Sequence, residues 1–312
     1  MNTGWRPTAP LRLLAGTPPG GGLDRVARAL AGALAETGML DTPAEVVNIP
    51  GDGARLVWRG VLDRLGDPHL LSISSTNLTT DRLLGLADFG HAEITPAAIL
   101  VSEAIAFGVP AASPLRDGTD LLRRLGAGPA GLRIVLATAL GNPNHIALAQ
   151  LARHAGVDPA TIDVHAVDGA PQAVAAVLAG TAQICAVSAA STAPALRDGS
   201  LRVLAVSAPG RLPGPLAAVP TWREQGVPCT IGAWRGVSGP PGMPAAAIAF
   251  WSGAIAAATR TAAWQAALRQ QSWTSLPLYG EALARYLTEE EAALRSGLVQ
   301  LGLLAEVRGT TP

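Results

Sequence analysis

The chain has 312 residues, with 23 basic and 23 acidic side chains, 49% hydrophobic residues and only 4% aromatic. At roughly 100–200 residues per domain this length suggests about two domains and supplies a sizeable core. A formal net charge of zero offers neither a nucleic-acid surface nor a polybasic membrane patch. Every basic residue is arginine, which excludes Schiff-base lysines, Ser–Lys dyads and the lysine of a P-loop.

Taken in chain order, Leu11–Ala15 reads as a short strand, followed by the loop Gly16–Gly22. Leu23, Val26, Ala27, Leu30 and Leu34 then recur at helical spacing, so a helix begins near Leu23. Glu45–Asn48 is a second strand, and Asn48–Gly53 a turn cluster. Leu70–Ile73 is apolar and passes into polar Ser74–Asn77, and Ala97–Phe107 is apolar again. Ile134–Ala137, Ile162–Val167, Ile184–Ser188 and Leu201–Val206 read as strands, with helices at Ile146–Ala155 and Pro171–Ala179. Pro209–Gly242, rich in Pro and Gly, reads as an irregular crossing. Three helices follow near Pro244–Ala258, Thr261–Gln270 and Gly280–Leu301, the last with Glu289–Glu291 on its solvated face. Such alternation predicts an α/β fold with mainly parallel sheets flanked by helices. The Ala-rich run near Ala245–Ala258 is too short to span a bilayer.

In parallel α/β sheets, ligands bind where strands pass into helices. Gly20–Gly22 combine bare backbone amides with a helix N-terminus, a geometry that favours a carboxylate, phosphate or sulfate. An ordinary Gly-rich turn has the same composition. Arg25 stands where the third glycine of GxGxxG belongs, so a dinucleotide site is not indicated. Thr138–Asn144 also leads into a helix and offers a hydroxyl and amides, with His145 opening that helix as a ligand group or as a packing residue. Ser74–Asn77, Asp168-Gly169 and Ser188 are further polar strand ends, and Asp168 is expected to cap the helix after it. There is no HExxH, and Gly236–Gly239 narrowly misses GxSxG. Cys185 and Cys229 match no CxxC pattern and read either as buried thiols or as one disulfide. Residues 1–10 lack the apolar core of a secretory signal, which leaves a cytoplasmic protein or one whose signal has been removed.

The loops also resemble a known family. Pro18-Pro-Gly-Gly-Gly-Leu-Asp-Arg-Val-Ala-Arg28 and Val46-Val-Asn-Ile-Pro-Gly51 are similar to the opening of the substrate-binding receptors of tripartite tricarboxylate transporters, the TctC or Bug family. The likeness continues through Gly66-Asp-Pro68, Gly141–His145, Asp168–Gly180, Arg211–Gly214, Val219–Val227 and Trp234–Gly242. It implies a two-domain, periplasmic-binding-protein-like (type II-like) fold that closes on a small carboxylate by hinge motion. One domain would comprise residues 1–103 together with 232–312, and the other the inserted 104–231. The resemblance places the ligand against Thr17, Pro19, Gly20, Gly21, Gly22, Asp24, Ser74, Ser75, Thr76 and Asn77 on one side. Thr138, Ala139, Gly141, Asn142, His145, Asp168 and Ser188 would form the other.

Asp24 matches the family's acidic position after the glycines and is expected to order the loop or cap the helix, not to face an anion. Arg55 and Arg235 are candidates for the far end of a di- or tricarboxylate, each with a structural alternative. The family implies no cofactor, metal or catalytic residue, and its partners would be the membrane permease subunits. Two departures matter: Asp52 in the Asn48–Ala54 segment, and Asp168 where many members carry lysine. The latter subtracts positive charge and would select an amino or hydroxyl group unless it caps the helix. Two alternatives remain: a cytoplasmic enzyme using His145 and Asp168 as acid/base groups, and a ligand-sensing module.

Overall fold

The computed structural model describes residues 4–305, so Met1–Thr3 of the opening segment and residues 306–312 at the C-terminal end lie outside the described residues. The first half of the chain forms β1 (Arg12–Ala15), α1 (Gly22–Thr37), β2 (Glu45–Asn48), α2 (Arg55–Leu62), β3 (Leu70–Ser75), α3 (Asn77–Leu83), β4 (Thr95–Pro110), α4 (Gly118–Gly126), β5 (Ile134–Ala137) and α5 (Pro143–His154). The second forms β6 (Val164–Val167), α6 (Ala170–Leu178), β7 (Ile184–Ser188), α7 (Ala193–Arg197), β8 (Leu201–Val206), β9 (Gly232–Gly239), α8 (Ala245–Ala258), α9 (Ala262–Gln270), β10 (Thr274–Leu278) and α10 (Gly280–Gln300).

The strands run in the order β2-β1-β3-β9-β4-β7-β5-β6, with β8 and β10 also on β4. The outer triplets are parallel: β1 with β2 and β3, and β5 with β6 and β7. All pairings made by β4 and β9 are antiparallel. β4 runs for 16 residues, long enough to pair with β9 over Thr95–Ala104 and with β7 and β8 over Ile105–Pro110. The apolar core changes along it. Leu100 and Val101 pack with Leu13, Trp58, Trp251 and Trp264. Ile105 and Phe107 instead pack with Leu136, Leu148 and Trp222. A separate cluster joins Ile146 of α5 to Leu294 and Leu298 of α10.

Two expectations are corrected, and one open alternative is decided. The segment 209–242 is not irregular throughout, because β9 lies within it at the centre of the sheet. Its glycines lower strand propensity, yet the fold needs them: a Cβ at Gly236 would sit 2.5 Å from the Ala98 carbonyl oxygen on β4. Residues 289–291 are not all solvated, since the Glu290 carboxylate turns inward and accepts from the Trp234 indole N–H and, at 3.5 Å, the Thr76 hydroxyl. Cys185 and Cys229 are both free and buried. Burial pushes each thiol up to about 12, so both are inert packing groups.

Candidate functional site: a cleft of strand ends and helix N-termini

The loops after β1, β2, β3, β5, β6 and β7 converge on one cavity of about 680 Å³. The wall after β1 is the most elaborate. Gly21 caps α1 with its backbone only and makes no side-chain cap bond. Asp24 N–H donates to Thr17 Oγ1 at 3.1 Å, Gly21 N–H to the Pro18 carbonyl at 2.9 Å, and Gly20 N–H to Asp24 Oδ2 at 2.7 Å. Among the described residues the N–H groups of Gly22 and Leu23 have no such partner, and both residues line the cavity. An uncapped first turn carries partial positive charge.

Two arginines stand beside these amides. Arg25 and Arg235 both line the cavity, and both face the buried Glu103 of β4. Arg235 Nε and Nη2 donate to Glu103 Oε2 at 2.8 and 2.5 Å, and Arg25 Nη2 lies 3.9 Å from Oε1. The Trp273 indole donates to Oε1 at 2.9 Å. Burial disfavours the Glu103 carboxylate, but Arg235 and Arg25, with the indole bond, outweigh it and hold the carboxyl below the ordinary glutamate value. One carboxylate thus answers two guanidiniums, leaving one positive charge in excess. Arg25 Nε is buried with no acceptor among the described residues. A Cβ built on Gly22 would lie 3.9 Å from Arg235 Nη2 and 4.0 Å from Glu103 Oε2, so the amides and the arginines form one surface.

The opposite wall comes from the loops after β5, β6 and β7. Thr138 holds φ at 72°, an uncommon backbone conformation for a β-branched residue. Its Oγ1 donates to the Ala137 carbonyl at 2.7 Å and accepts from Asn142 Nδ2 at 2.8 Å. Asn142 also caps α5, its Oδ1 accepting from the N–H of Asn144 and His145 at 3.0 and 3.3 Å. The first turn of α5 is therefore already satisfied. α6 differs: its cap is Gly169, without a side-chain bond. Among the described residues two hydrogen bonds cross from wall to wall. Arg25 Nη2 donates to Ser191 Oγ at 3.2 Å, and Asn77 Nδ2 to Thr138 Oγ1 at 3.4 Å.

Of the residues singled out in the sequence, Thr17, Pro19, Gly20, Gly21, Gly22, Ser75 and Asn77 line the cavity on the first wall. Thr138, Asn142, Asp168 and Ser188 line it on the second. Six do not. Asp24 points away: Arg28 Nε donates to it at 2.9 Å and Asn48 Nδ2 at 2.8 Å. Burial disfavours its carboxylate, but these bonds outweigh the effect and keep its pKa low. Ser74 pairs with Ser238 at 2.9 Å inside the sheet, and Thr76 Oγ1 accepts from Trp234 N–H at 2.9 Å. Ala139 does not reach the cavity. Gly141 packs against α3 and α10, where a Cβ would meet Leu84 at 2.7 Å and Leu298 at 3.0 Å. His145 is buried, and its Nδ1 accepts from Gly141 N–H at 3.0 Å. Burial lowers its pKa to about 4, so the ring is neutral and braces the loop.

Asp168 is corrected in the other direction: it caps nothing, and its exposed side chain makes no hydrogen bond among the described residues. Of the two candidate arginines, Arg235 lines the cavity. Arg55 does not; it binds Asp52 and, at 3.1 Å, Asp81. Sequence reasoning missed Arg25, Glu103, Ser191 and the Gly51–Gly53 segment as parts of this region. The only available signals were the charge three residues after Gly22 and the single carboxylate in the apolar run Ala97–Phe107.

The fold is that of a periplasmic-binding-protein-like protein. A family model described as "Tripartite tricarboxylate transporter family receptor" (TctC) matches residues 26–300. The "UPF0065 protein in tcbD-tcbE intergenic region" of Pseudomonas sp. (strain P51) is 30% identical over 245 residues, covering 76% of this chain and 70% of that protein. A ligand-free TctC solute binding protein from Polaromonas is 26% identical, with a TM-score of 0.69 over 95% of this chain and all (100%) of that one. An R. palustris protein with adipate is 22% identical and gives a TM-score of 0.85, covering 95% and 98% of the two chains. The chain belongs to the tripartite tricarboxylate transporter receptor family.

Proposed function

We propose that the chain is a solute receptor that binds a small organic carboxylate in this cleft, leaves it chemically unchanged and presents it to the membrane permease subunits of a tripartite tricarboxylate transporter. One observation carries the reading: the uncapped amides of Gly22 and Leu23 lie beside Arg25 and Arg235, whose shared Glu103 neutralises only one of the two. Amides and guanidiniums held in a partly desolvated cleft stabilise an anion strongly without reorganising. The adipate-bound R. palustris relative supports a carboxylate as the anion. Family membership supports the permease partnership and an extracytoplasmic location, and no described helix is long and apolar enough to cross a membrane.

We place the two domains at residues 1–103 with 232–312 and at residues 104–231, connected by β4, which runs through the first boundary, and by the chain entering β9 at the second. Closure about them would bring Arg25 to Ser191 and Asn77 to Thr138, the two bonds that cross the cleft. The neutral, cavity-averted His145 weighs against an acid/base enzyme.

The test is a thermal-shift screen of protein refolded without ligand against mono-, di- and tricarboxylates, followed by mass spectrometry of each mixture. A ligand at a hundred times its dissociation constant adds about 2.7 kcal/mol of stability, and the hit should be recovered intact. A hit recovered chemically altered, or no shift with any carboxylate, would overturn the proposal.

A further inference from the structure

Resting on the carboxylate reading above, we propose that the ligand also carries a cationic nitrogen and that Asp168 selects it, so that the cleft takes an amino-carboxylate in preference to a plain di- or tricarboxylate. Asp168 ends β6, lines the cavity and is exposed there. The ordinary duty of an Asp at this point is to cap the next helix, and it does not do so, because α6 begins on the Gly169 backbone. No arginine or hydrogen-bond donor among the described residues satisfies it. An acceptor-only group with no protein partner on the wall of a binding cleft is suited to a donor on the ligand.

Charge decides between the donors. Arg25 and Arg235 face Glu103 on one wall, and Asp168 stands on the other, two positive groups against two negative ones. Asp52, the remaining acidic residue on the cavity wall, is ion-paired with Arg55. A di- or tricarboxylate would bring two or three negative charges to walls that sum to zero. It would also put its second carboxylate against Asp168 if it used the uncapped N-terminus of α6. The asymmetry fits a molecule with a carboxylate at one end and an ammonium at the other: the anion on Gly22, Leu23 and the arginines, the cation on Asp168. A hydroxyl would satisfy the hydrogen bond but leave the Asp168 charge uncompensated.

The experiment is titration calorimetry of refolded, ligand-free protein with matched acids. The sets are L-aspartate, L-malate and succinate; L-glutamate and glutarate; and γ-aminobutyrate and butyrate, which moves the nitrogen away from the carboxylate. In at least one set the amino acid should bind about tenfold or more tightly than its nitrogen-free partner, as a charge-assisted hydrogen bond requires. In Asp168→Asn that ratio should fall to about one, with the nitrogen-free acid gaining affinity. Equal or tighter binding of the nitrogen-free acids by the unaltered protein would overturn this inference and leave the carboxylate reading standing. So would a ratio unchanged in Asp168→Asn, or a gain from malate equal to that from aspartate. Binding of none of these acids would overturn this inference, and only the further absence of a thermal shift with any carboxylate would overturn both.

Discussion

Replacing Glu290 with Gln should change how the stability of this protein depends on pH. Glu290 reaches from α10 to the Trp234 indole and the Thr76 hydroxyl, and among the described residues no cation pairs with it. Burial is the main cause that raises its carboxyl from an ordinary 4.5 to about 8; the bonds from Trp234 and Thr76 oppose the rise without cancelling it. In the folded chain the group is therefore protonated at pH 7, whereas in the unfolded chain it is ionised. Its contribution to stability is complete below pH 4.5 and is lost as pH rises through about 8.

At about 1.4 kcal/mol for each pH unit between those limits, the ceiling is about 5 kcal/mol. The side chain keeps some contact with water, and solvent screening lowers the expected effect to about 2–3 kcal/mol. Gln keeps an acceptor for the indole and cannot ionise. Urea denaturation of both proteins from pH 4.5 to 9, read by tryptophan fluorescence, isolates the effect. The buried Asp81, raised to about 6, and His145, lowered to about 4, are common to both and cancel in the difference. Glu290→Gln should gain stability relative to the parent as pH rises across this window. A difference independent of pH would refute the reasoning.

Other consequences follow from the same contacts. Glu103→Gln leaves Arg25 and Arg235 without a counter-charge, and should cost about 3–5 kcal/mol in denaturation experiments. Gly22→Val puts a branched side chain beside Arg235 Nη2 and Glu103 Oε2, in front of the free amides. It should abolish ligand-induced thermal shifts while far-ultraviolet circular dichroism stays unchanged. Cys185 and Cys229 should resist a thiol reagent in the native protein and both react once it unfolds, since burial has pushed each up to about 12.

The sequence was most legible where one local signal determined one element. The hydrophobic spacing after Gly22 gave α1, and short β-branched runs gave β5, β7 and β8. Strand β9 was hidden because Gly232, Gly236 and Gly239 carry no strand signal. At Gly232 and Gly236 a Cβ would meet β4, and at Gly239 the Met243 side chain, so the crowding appears only once those neighbours are in place. At the site, sequence order located the loops but not the direction of each side chain. Ser75 and Asn77 line the cavity, while Ser74 and Thr76 between and before them bind the sheet and β9. Gly141 in the same loop as Thr138 packs against α10, and His145 in the first turn of α5 braces that loop. The Arg25–Glu103–Arg235 group was invisible because its members lie far apart in the chain: the antiparallel pairing of β4 with β9 brings Arg235 to Glu103, and Arg25 reaches the same carboxylate from the first turn of α1.

The most direct measurement is a crystal structure of the chain with a carboxylate found in the thermal-shift screen. A carboxylate oxygen should lie about 3 Å from the backbone nitrogens of Gly22 and Leu23, with Arg25 or Arg235 on the same group. A carboxylate bound elsewhere in the cleft, with those amides facing only water, would contradict this placement.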